Sequence, residues 1–130
     1  MSSYLNIYVK KEEQDKPVLI CSYSRSSDIY QEIYESTSPA WAGDKEVYTE
    51  LHYNDIERIV KEIKENILST NKRISTYKEM CNGNMDIINE IISQEEYLDE
   101  LKVTLGSFYF LLAIVSDAKI YGNTVLCNIN

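Results

Sequence analysis

The stretch that decides the fold is NDIERIVKEIKENILSTNKRISTYKEMCNGNMDIINEIISQEEYLDELKVTLGSFYFLLAIVSD, residues 54–117. Apolar residues recur in it every three or four positions along two successive segments, and this spacing predicts two amphipathic helices. The first stripe comprises Ile56, Ile59, Val60, Ile63, Ile67, Ile74, Tyr77 and Cys81, and the second Ile88, Ile91, Leu98, Leu101, Leu105, Phe108, Leu112 and Val115. Asn82-Gly83-Asn84 separates them, because Asn and Gly tolerate the left-handed backbone that ends a helix. So short a link predicts an antiparallel, coiled-coil-like hairpin.

The flanking segments predict a small β-sheet. Apolar and polar residues alternate over Tyr4–Lys10, and Val18–Ser24 is rich in β-branched and apolar residues, so each is expected to be a strand. The charged turn Lys11–Lys16 makes them a hairpin. Thr124–Ile129 alternates again and is expected to join this hairpin, and Glu46–Leu51 is a candidate third, short strand.

The predicted fold is therefore α+β: a small antiparallel sheet, made of the N-terminal hairpin plus the C-terminal strand, packed on a long antiparallel two-helix coiled-coil hairpin. A chain of 130 residues is expected to form a single domain. Residues 1–51 would hold the β-hairpin, a short helix over Asp28–Glu35 and a loop. Residues 54–81 and 84–118 would form the helical hairpin, and residues 121–130 the last strand.

Three local expectations follow from the helical pattern. Asn54 is a preferred N-cap residue and is expected to begin the first long helix. The run Phe108–Val115 has no polar face, so this part of the second helix is expected to be buried all round, under the sheet. Polar residues interrupt both stripes at Thr70, Asn71 and Glu95. Such a polar layer either fixes the helix register or lines a small pocket.

The charge and cysteine content exclude several classes of partner. A net charge of −8 repels phosphates and anionic lipids, so we expect no direct nucleic-acid binding and no membrane association. The acidity either keeps the protein soluble or imitates nucleic acid in a basic groove. Cys21, Cys81 and Cys127 contain no CxxC pair, which predicts neither a disulfide framework nor a zinc site. With no signal peptide at the start and no apolar run long enough to span a bilayer, the expected location is the host-cell cytoplasm.

The chain lacks the residue patterns of common catalytic sites. His52 is its one histidine, and no nucleophile elbow, phosphate-binding loop, dinucleotide fingerprint or zinc-protease motif is present. His52 is expected to be solvated or to lie at a helix cap. The carboxylates from Glu95 to Glu100 are expected to cover a solvated helix face. We therefore predict a protein that is not an enzyme and that needs no cofactor or metal.

The turn Ser24-Arg25-Ser26-Ser27 is the strongest positive signal for binding. It lies between a strand end and a helix N-terminus, where free backbone N–H groups attract anions. The serine hydroxyls add donors, and arginine adds a planar fork suited to phosphate. Nearby aromatic rings suited to stacking on a base complete the predicted ligand-binding residues: Ser24, Arg25, Ser26, Ser27, Tyr23, Tyr30 and Trp41. The structural alternative is that the serines cap the helix and Arg25 pairs with a local acid or with Glu95.

Tyrosine is unusually frequent, with eleven copies against two phenylalanines. A tyrosine has an apolar body and a polar tip, so it suits a surface that a partner covers. Half-buried sheet positions are the other explanation. An amphipathic hairpin this long also has faces left to cover, which predicts a homodimer or higher oligomer.

The segment SYSRSSDIYQEIYES (Ser22–Ser36), followed by LGSFYFLLAIV at the end of the helical pair, resembles small proteins encoded by phages and prophages of low-GC Gram-positive bacteria. The resemblance covers the opening hairpin, the serine turn, the helical hairpin and the closing strand. It implies an accessory gene product that counters host defence rather than a virion part. It carries no catalytic residue with it.

Two binding functions and one structural role fit these patterns. The first is a non-catalytic phage-derived protein that counters bacterial immunity by sequestering a small phosphorylated nucleotide-type signal. The second is an acidic inhibitor that binds a host defence protein, such as a nuclease complex, in the manner of anti-CRISPR proteins. The third is a purely oligomeric structural or regulatory protein.

Overall fold

The computed structural model describes residues 3–130; the first two residues of the predicted domain lie outside this range. The elements, in chain order, are β1 (Tyr4–Lys10), β2 (Val18–Ser24), α1 (Asp28–Thr37), β3 (Thr49–Glu50), α2 (Tyr53–Met80), α3 (Met85–Tyr121) and β4 (Thr124–Ile129). The α+β class is confirmed. The bounds predicted for the hairpin strands and the last strand agree with β1, β2 and β4, because alternation is a local signal that the sheet reinforces.

The sheet has four antiparallel strands in the order β2-β1-β4-β3. The last strand pairs with the first, as predicted, and Leu5 lies opposite Ile129 in this ladder. The face toward the helices is apolar and buried; its residues include Leu5, Ile7, Val125, Cys127 and Ile129. The third strand is shorter than predicted, since only Thr49 and Glu50 pair with β4.

The helical hairpin turns at the predicted residues. Asn82 and Gly83 adopt positive φ angles of 40° and 80°, and the Asn84 side chain accepts hydrogen bonds from the N–H groups of Asp86 and Ile87. Helices α2 and α3 pack closely along their length. A coiled-coil-like hairpin is therefore the central element of the fold.

The predicted start of the first long helix is wrong. His52, not Asn54, occupies the N-cap position, and its side chain makes no capping hydrogen bond. The reason lies in the preceding strand. The N–H of Leu51 donates to the Val125 carbonyl at 2.9 Å, and Leu51 is buried, so the chain enters the helix directly from the sheet.

The prediction that Phe108–Val115 is buried all round is also wrong. Phe108, Leu111 and Val115 face the core, as expected of a helix that packs under the sheet. Phe110, on the opposite side of the helix, is 51% exposed. Within one chain, α3 is covered by α2, the sheet and part of α1, and none of these elements lies against its outer face.

The polar breaks in the helical stripes do not form a layer. Thr70 is fully buried and donates to the Asn66 carbonyl of its own helix at 2.7 Å. Asn71 is exposed, and Glu95 forms a surface ion pair with Lys78 at 3.5 Å. Neither a register-setting contact between the helices nor a polar pocket joins the three residues.

Helix α3 is long and apolar enough to cross a membrane by length and composition, within the described residues. Its most apolar window of 18 residues has a mean hydropathy of 1.5, and 28% of that window is buried. The run Phe108–Val115 alone is shorter than a membrane span. The longer window arises because further apolar residues, such as Val103 and Ile120, lie on both sides of this run. Length and composition of one helix are weak grounds for a membrane segment.

Candidate functional site

The serine turn between β2 and α1 is held mainly by its own hydrogen bonds. The hydroxyls of Ser24 and Ser26 are 3.0 Å apart, and Ser27 Oγ donates to the Ser24 carbonyl at 2.6 Å. The N–H of Arg25 donates to the Ser3 carbonyl, which joins the turn to the start of the chain. The backbone that carries the Arg25 side chain is therefore firmly positioned.

The turn also caps helix α1. Ser27 is the N-cap residue, and its hydroxyl accepts from the N–H of Tyr30 at 3.4 Å. The first N–H groups of a helix have no partner within it, and a cap such as Ser27 satisfies one of them. The Asp28 carboxylate accepts from Thr104 Oγ1 at 3.2 Å, a contact directed toward α3. The capping alternative is thus present in the fold.

A shallow pocket of about 130 Å³ lies between the turn, α1 and the loop that follows it. Its lining residues are Arg25, Tyr30, Gln31, Tyr34 and Trp41. Three of the predicted ligand residues, Arg25, Tyr30 and Trp41, are therefore brought together around one cavity. Sequence reasoning left Gln31 and Tyr34 out of the predicted set; Tyr34 is one helical turn after Tyr30, which was the available signal.

The aromatic side chains divide into a buried support and two exposed rings. Tyr30 is 3% exposed and stacks on Tyr34, with ring centroids 6.2 Å apart and planes 6° from parallel. Trp41 is 59% exposed. A planar ligand would therefore contact Tyr34 and Trp41, while Tyr30 holds Tyr34 in place.

The backbone on either side of Trp41 is tied to the end of β4. The N–H of Ala42 donates to the Ile129 carbonyl at 2.9 Å, and the N–H of Ile129 donates to the Ala40 carbonyl at 2.8 Å. Trp41 itself forms an isolated parallel bridge with Ile129. The loop that carries this exposed ring is thus anchored to the sheet.

Arg25 forms no ion pair with a carboxylate in residues 3–130. The alternative pairing with Glu95 is wrong, because Glu95 pairs with Lys78. The Arg25 carbonyl accepts from Gln31 Nε2 at 3.2 Å, and the lining of its pocket contains no Asp or Glu. The guanidinium is therefore not engaged by any acid of the described chain.

Three other cavities in residues 3–130 each contain at least one carboxylate. One, of about 290 Å³, is lined by Glu50 and His52 among others. A second, of about 260 Å³, contains Asp28, Glu32 and Glu100. The third, of about 210 Å³, contains Asp117. The Arg25 pocket is smaller, but among these four it alone presents a cation without an acid.

The remaining predicted residues lie outside this lining. Ser24, Ser26 and Ser27 form the adjacent turn. Tyr23 lies on β2 opposite Leu5 and packs against the core. Burial raises the pKa of Tyr23, and a hydrogen bond with Cys21 raises it further. Whether Tyr23 contacts a ligand stays a prediction.

The lining of the pocket contains no Asp, Glu, His or Cys. Burial raises the pKa of Cys127 to about 12, which leaves this thiol protonated in the core. Among residues 3–130, no group of three or more His, Cys, Asp or Glu side chains is placed to hold a metal ion. The arrangement around Arg25 combines a guanidinium with exposed aromatic rings, which suits a planar, negatively charged group.

The comparisons with known proteins add no relative: no protein-family model, no curated protein and no solved structure matches this chain.

Proposed function

We propose that this chain is a non-catalytic binding protein whose Arg25 pocket holds a small phosphorylated ligand of the nucleotide type. The observation that carries the proposal is the carboxylate-free lining of this pocket in a protein of net charge −8. In each of the other three cavities an anion meets at least one carboxylate, whereas here it meets a guanidinium and two exposed aromatic rings. Electrostatic attraction and stacking then act on the same ligand.

Three of the lining residues have distinct roles toward the proposed ligand. The Arg25 fork binds a phosphate, and the N-terminus of α1, whose dipole favours negative charge, follows the same turn. Tyr34 and Trp41 stack on the base. A cavity of about 130 Å³ is below the range of ~300–1,000 Å³ usual for small-molecule sites. It therefore holds one part of the ligand, and the rest lies across the surface.

The biological role follows from the resemblance to phage-encoded proteins. A protein that binds a nucleotide-type signal without changing it lowers the free concentration of that signal. In an infected cell, this would blunt an immune system that the signal activates. The pocket needs no catalytic group for such sequestration.

The test is isothermal titration calorimetry with a panel of linear and cyclic nucleotides. We expect one member to bind, and Arg25→Ala to weaken it by about tenfold or more, since a hydrogen bond to a charged group contributes ~1.5–3 kcal/mol. Trp41→Ala should weaken it similarly, because stacking on a base is worth ~1–3 kcal/mol. Arg58→Ala is the matched control, since Arg58 is exposed on α2 and pairs with Asp55 at 3.6 Å.

Two outcomes would contradict the proposal. One is a panel in which no nucleotide releases or absorbs heat and none raises the melting temperature. The other is binding that Arg25→Ala and Arg58→Ala affect equally. Unchanged ligand recovered after incubation is expected, and recovery of a converted product would show catalysis instead.

The acidic surface of the helical hairpin supports a second candidate, an inhibitor of a basic host protein. Exposed carboxylates on the first half of α3 include Glu90, Glu95, Glu96, Asp99 and Glu100. A surface of one charge sign steers a partner of the opposite sign, and salt weakens the complex. Two results together would favour this candidate. No nucleotide of the panel would bind, and a purified basic nuclease subunit would bind at low salt and dissociate at high salt.

A further inference from the structure

Helix α3 presents a second apolar stripe that nothing in the described chain covers. The first stripe faces α2 and the sheet. On the opposite side, Val103 is 72% exposed, Phe110 51% and Tyr121 74%. Gly106 and Ala113 are exposed between them. The spacings of three, four and three residues, and then of eight, or twice four, place all five residues on one helix face. We call these residues the outer stripe.

All residues of the outer stripe except Tyr121 lie in a segment that carries no charge. From Val103 to Ser116 the chain contains no Lys, Arg, Asp or Glu, although the whole protein has a net charge of −8. Two copies of an acidic protein repel each other over most of their surface. Along this segment itself no charges repel the second copy, so repulsion is confined to the charged residues that flank it, and burial of apolar area favours the contact.

Gly106 has no role in the packing of its own chain. It lies in the middle of α3, and a Cβ atom added to it would meet no other atom within 4 Å. Glycine is the least favourable residue after proline in a helix interior. Its absent side chain makes a notch on the outer stripe, one turn before the exposed Phe110 ring.

We propose that a second copy of this chain covers the outer stripe, with the two α3 helices antiparallel. In a two-fold arrangement, each residue contacts a partner that contacts it in return. If Phe110 sits on Gly106 of the second copy, the same register places Val103 on Ala113. Large residues then meet small ones four times, and no other partner is required to supply the complementary shape.

The first test is the mass of the full chain by sedimentation equilibrium. We expect about twice 15.1 kDa at high concentration, and Phe110→Glu should raise the dissociation constant by at least about 30-fold, as expected for a central interface residue. Leu68→Glu is the matched control, since Leu68 is an exposed leucine on α2, and it should leave the mass unchanged. A wild-type monomer at every concentration would overturn the proposal, as would equal effects of the two variants.

Gly106→Ala separates this interface from a structural role of the glycine. Alanine favours the helix, so the melting temperature of the diluted monomer should rise. The added methyl group fills the notch, so the dimer should dissociate several-fold more readily. If dimerisation strengthened together with the monomer, the notch would not be a contact.

A mixing experiment tests the antiparallel register. Val103→Lys and Ala113→Glu should each weaken the homodimer, whereas an equimolar mixture should recover dimer through a lysine–glutamate contact between copies. If the mixture formed no more dimer than either variant alone, the register would be overturned.

Asp99 faces Asp117 of the second copy in this register, so added salt should tighten the dimer by screening their repulsion. A monomeric protein that floats with neutral phosphatidylcholine vesicles would instead assign the stripe to a lipid surface.

Discussion

Glu32 is a carboxyl whose surroundings oppose its ionisation. It is half-buried on α1 and lines the same cavity as Asp28 and Glu100. Burial raises its pKa above 4.5, and the nearby charges of Glu35, Glu62 and Asp28 raise it further. The folded protein therefore holds a proton on this carboxyl more tightly than the unfolded chain does.

The sign of the resulting pH dependence follows from this shift. Between pH 4.5 and the raised pKa, the folded state binds more protons than the unfolded state, so the free energy of unfolding falls as pH rises through that window. Glu32→Gln removes the ionisation and should raise the free energy of unfolding at pH 7 but not at pH 4. Urea denaturation at the two pH values measures this, with Glu79→Gln, an exposed α2 residue, as the control. A stabilisation of equal size at both pH values would contradict the assignment.

At the scale of the element, α3 is a helix with two apolar faces and one intrachain partner surface. Phe108 is fully buried in the core beside Leu111 and Val115, whereas Phe110 is half-exposed on the outer stripe. The two phenylalanines are two positions apart and so point to opposite sides of the helix. The environment of each phenylalanine, not its residue type, determines what it contributes to the stability of the fold or to contact with a second copy.

Substitution of each phenylalanine by alanine should separate these contributions. Phe108→Ala should lower the free energy of unfolding by about 3–5 kcal/mol, because it leaves a cavity in the core. Phe110→Ala should change the stability of the diluted monomer by less than about 1 kcal/mol, as is usual at exposed sites. Chemical denaturation at low protein concentration makes the comparison. Similar losses for both variants would mean that Phe110 is also covered within one chain.

At the scale of the whole molecule, the two proposed surfaces share no residue. The Arg25 pocket is built by the serine turn, α1 and the Trp41 loop, while the outer stripe belongs to α3. A third surface, on the first half of α3, differs from both in being acidic; its Asp99 flanks the proposed dimer contact. The ligand and the second copy are therefore expected to bind independently.

This independence is measurable with the variants described above. Phe110→Glu should leave the affinity for the bound nucleotide within about twofold of the wild type, because additivity holds for distant sites. Arg25→Ala should leave the monomer–dimer equilibrium unchanged. Titration calorimetry and sedimentation equilibrium on both variants test this. If either variant altered both equilibria, the pocket would be coupled to the dimer contact and the present separation would be wrong.

The local parts of the fold were predictable from the sequence, and so was part of the candidate site. The bounds of β1, β2 and β4, and the turn at Gly83, follow from alternation and from residues that accept positive φ. The grouping of Arg25 with Tyr30 and Trp41 was also expected. The hydrogen bonds among the serines themselves were not expected, since the partner of a hydroxyl group depends on the exact backbone path of the turn.

The sequence by itself determined the type of each element, because helix and strand periodicity and turn residues act over a few positions. Only the tertiary structure decided which faces are covered. Three features depend on which other elements lie against each residue: α2 begins after His52, Thr70 is buried without Asn71 and Glu95, and Phe110 is exposed. An apolar side chain indicates that its burial is favourable. One chain of this length, however, packs other elements against only one side of α3. The sequence pattern of an apolar helix face is the same whether another element packs against that face or not.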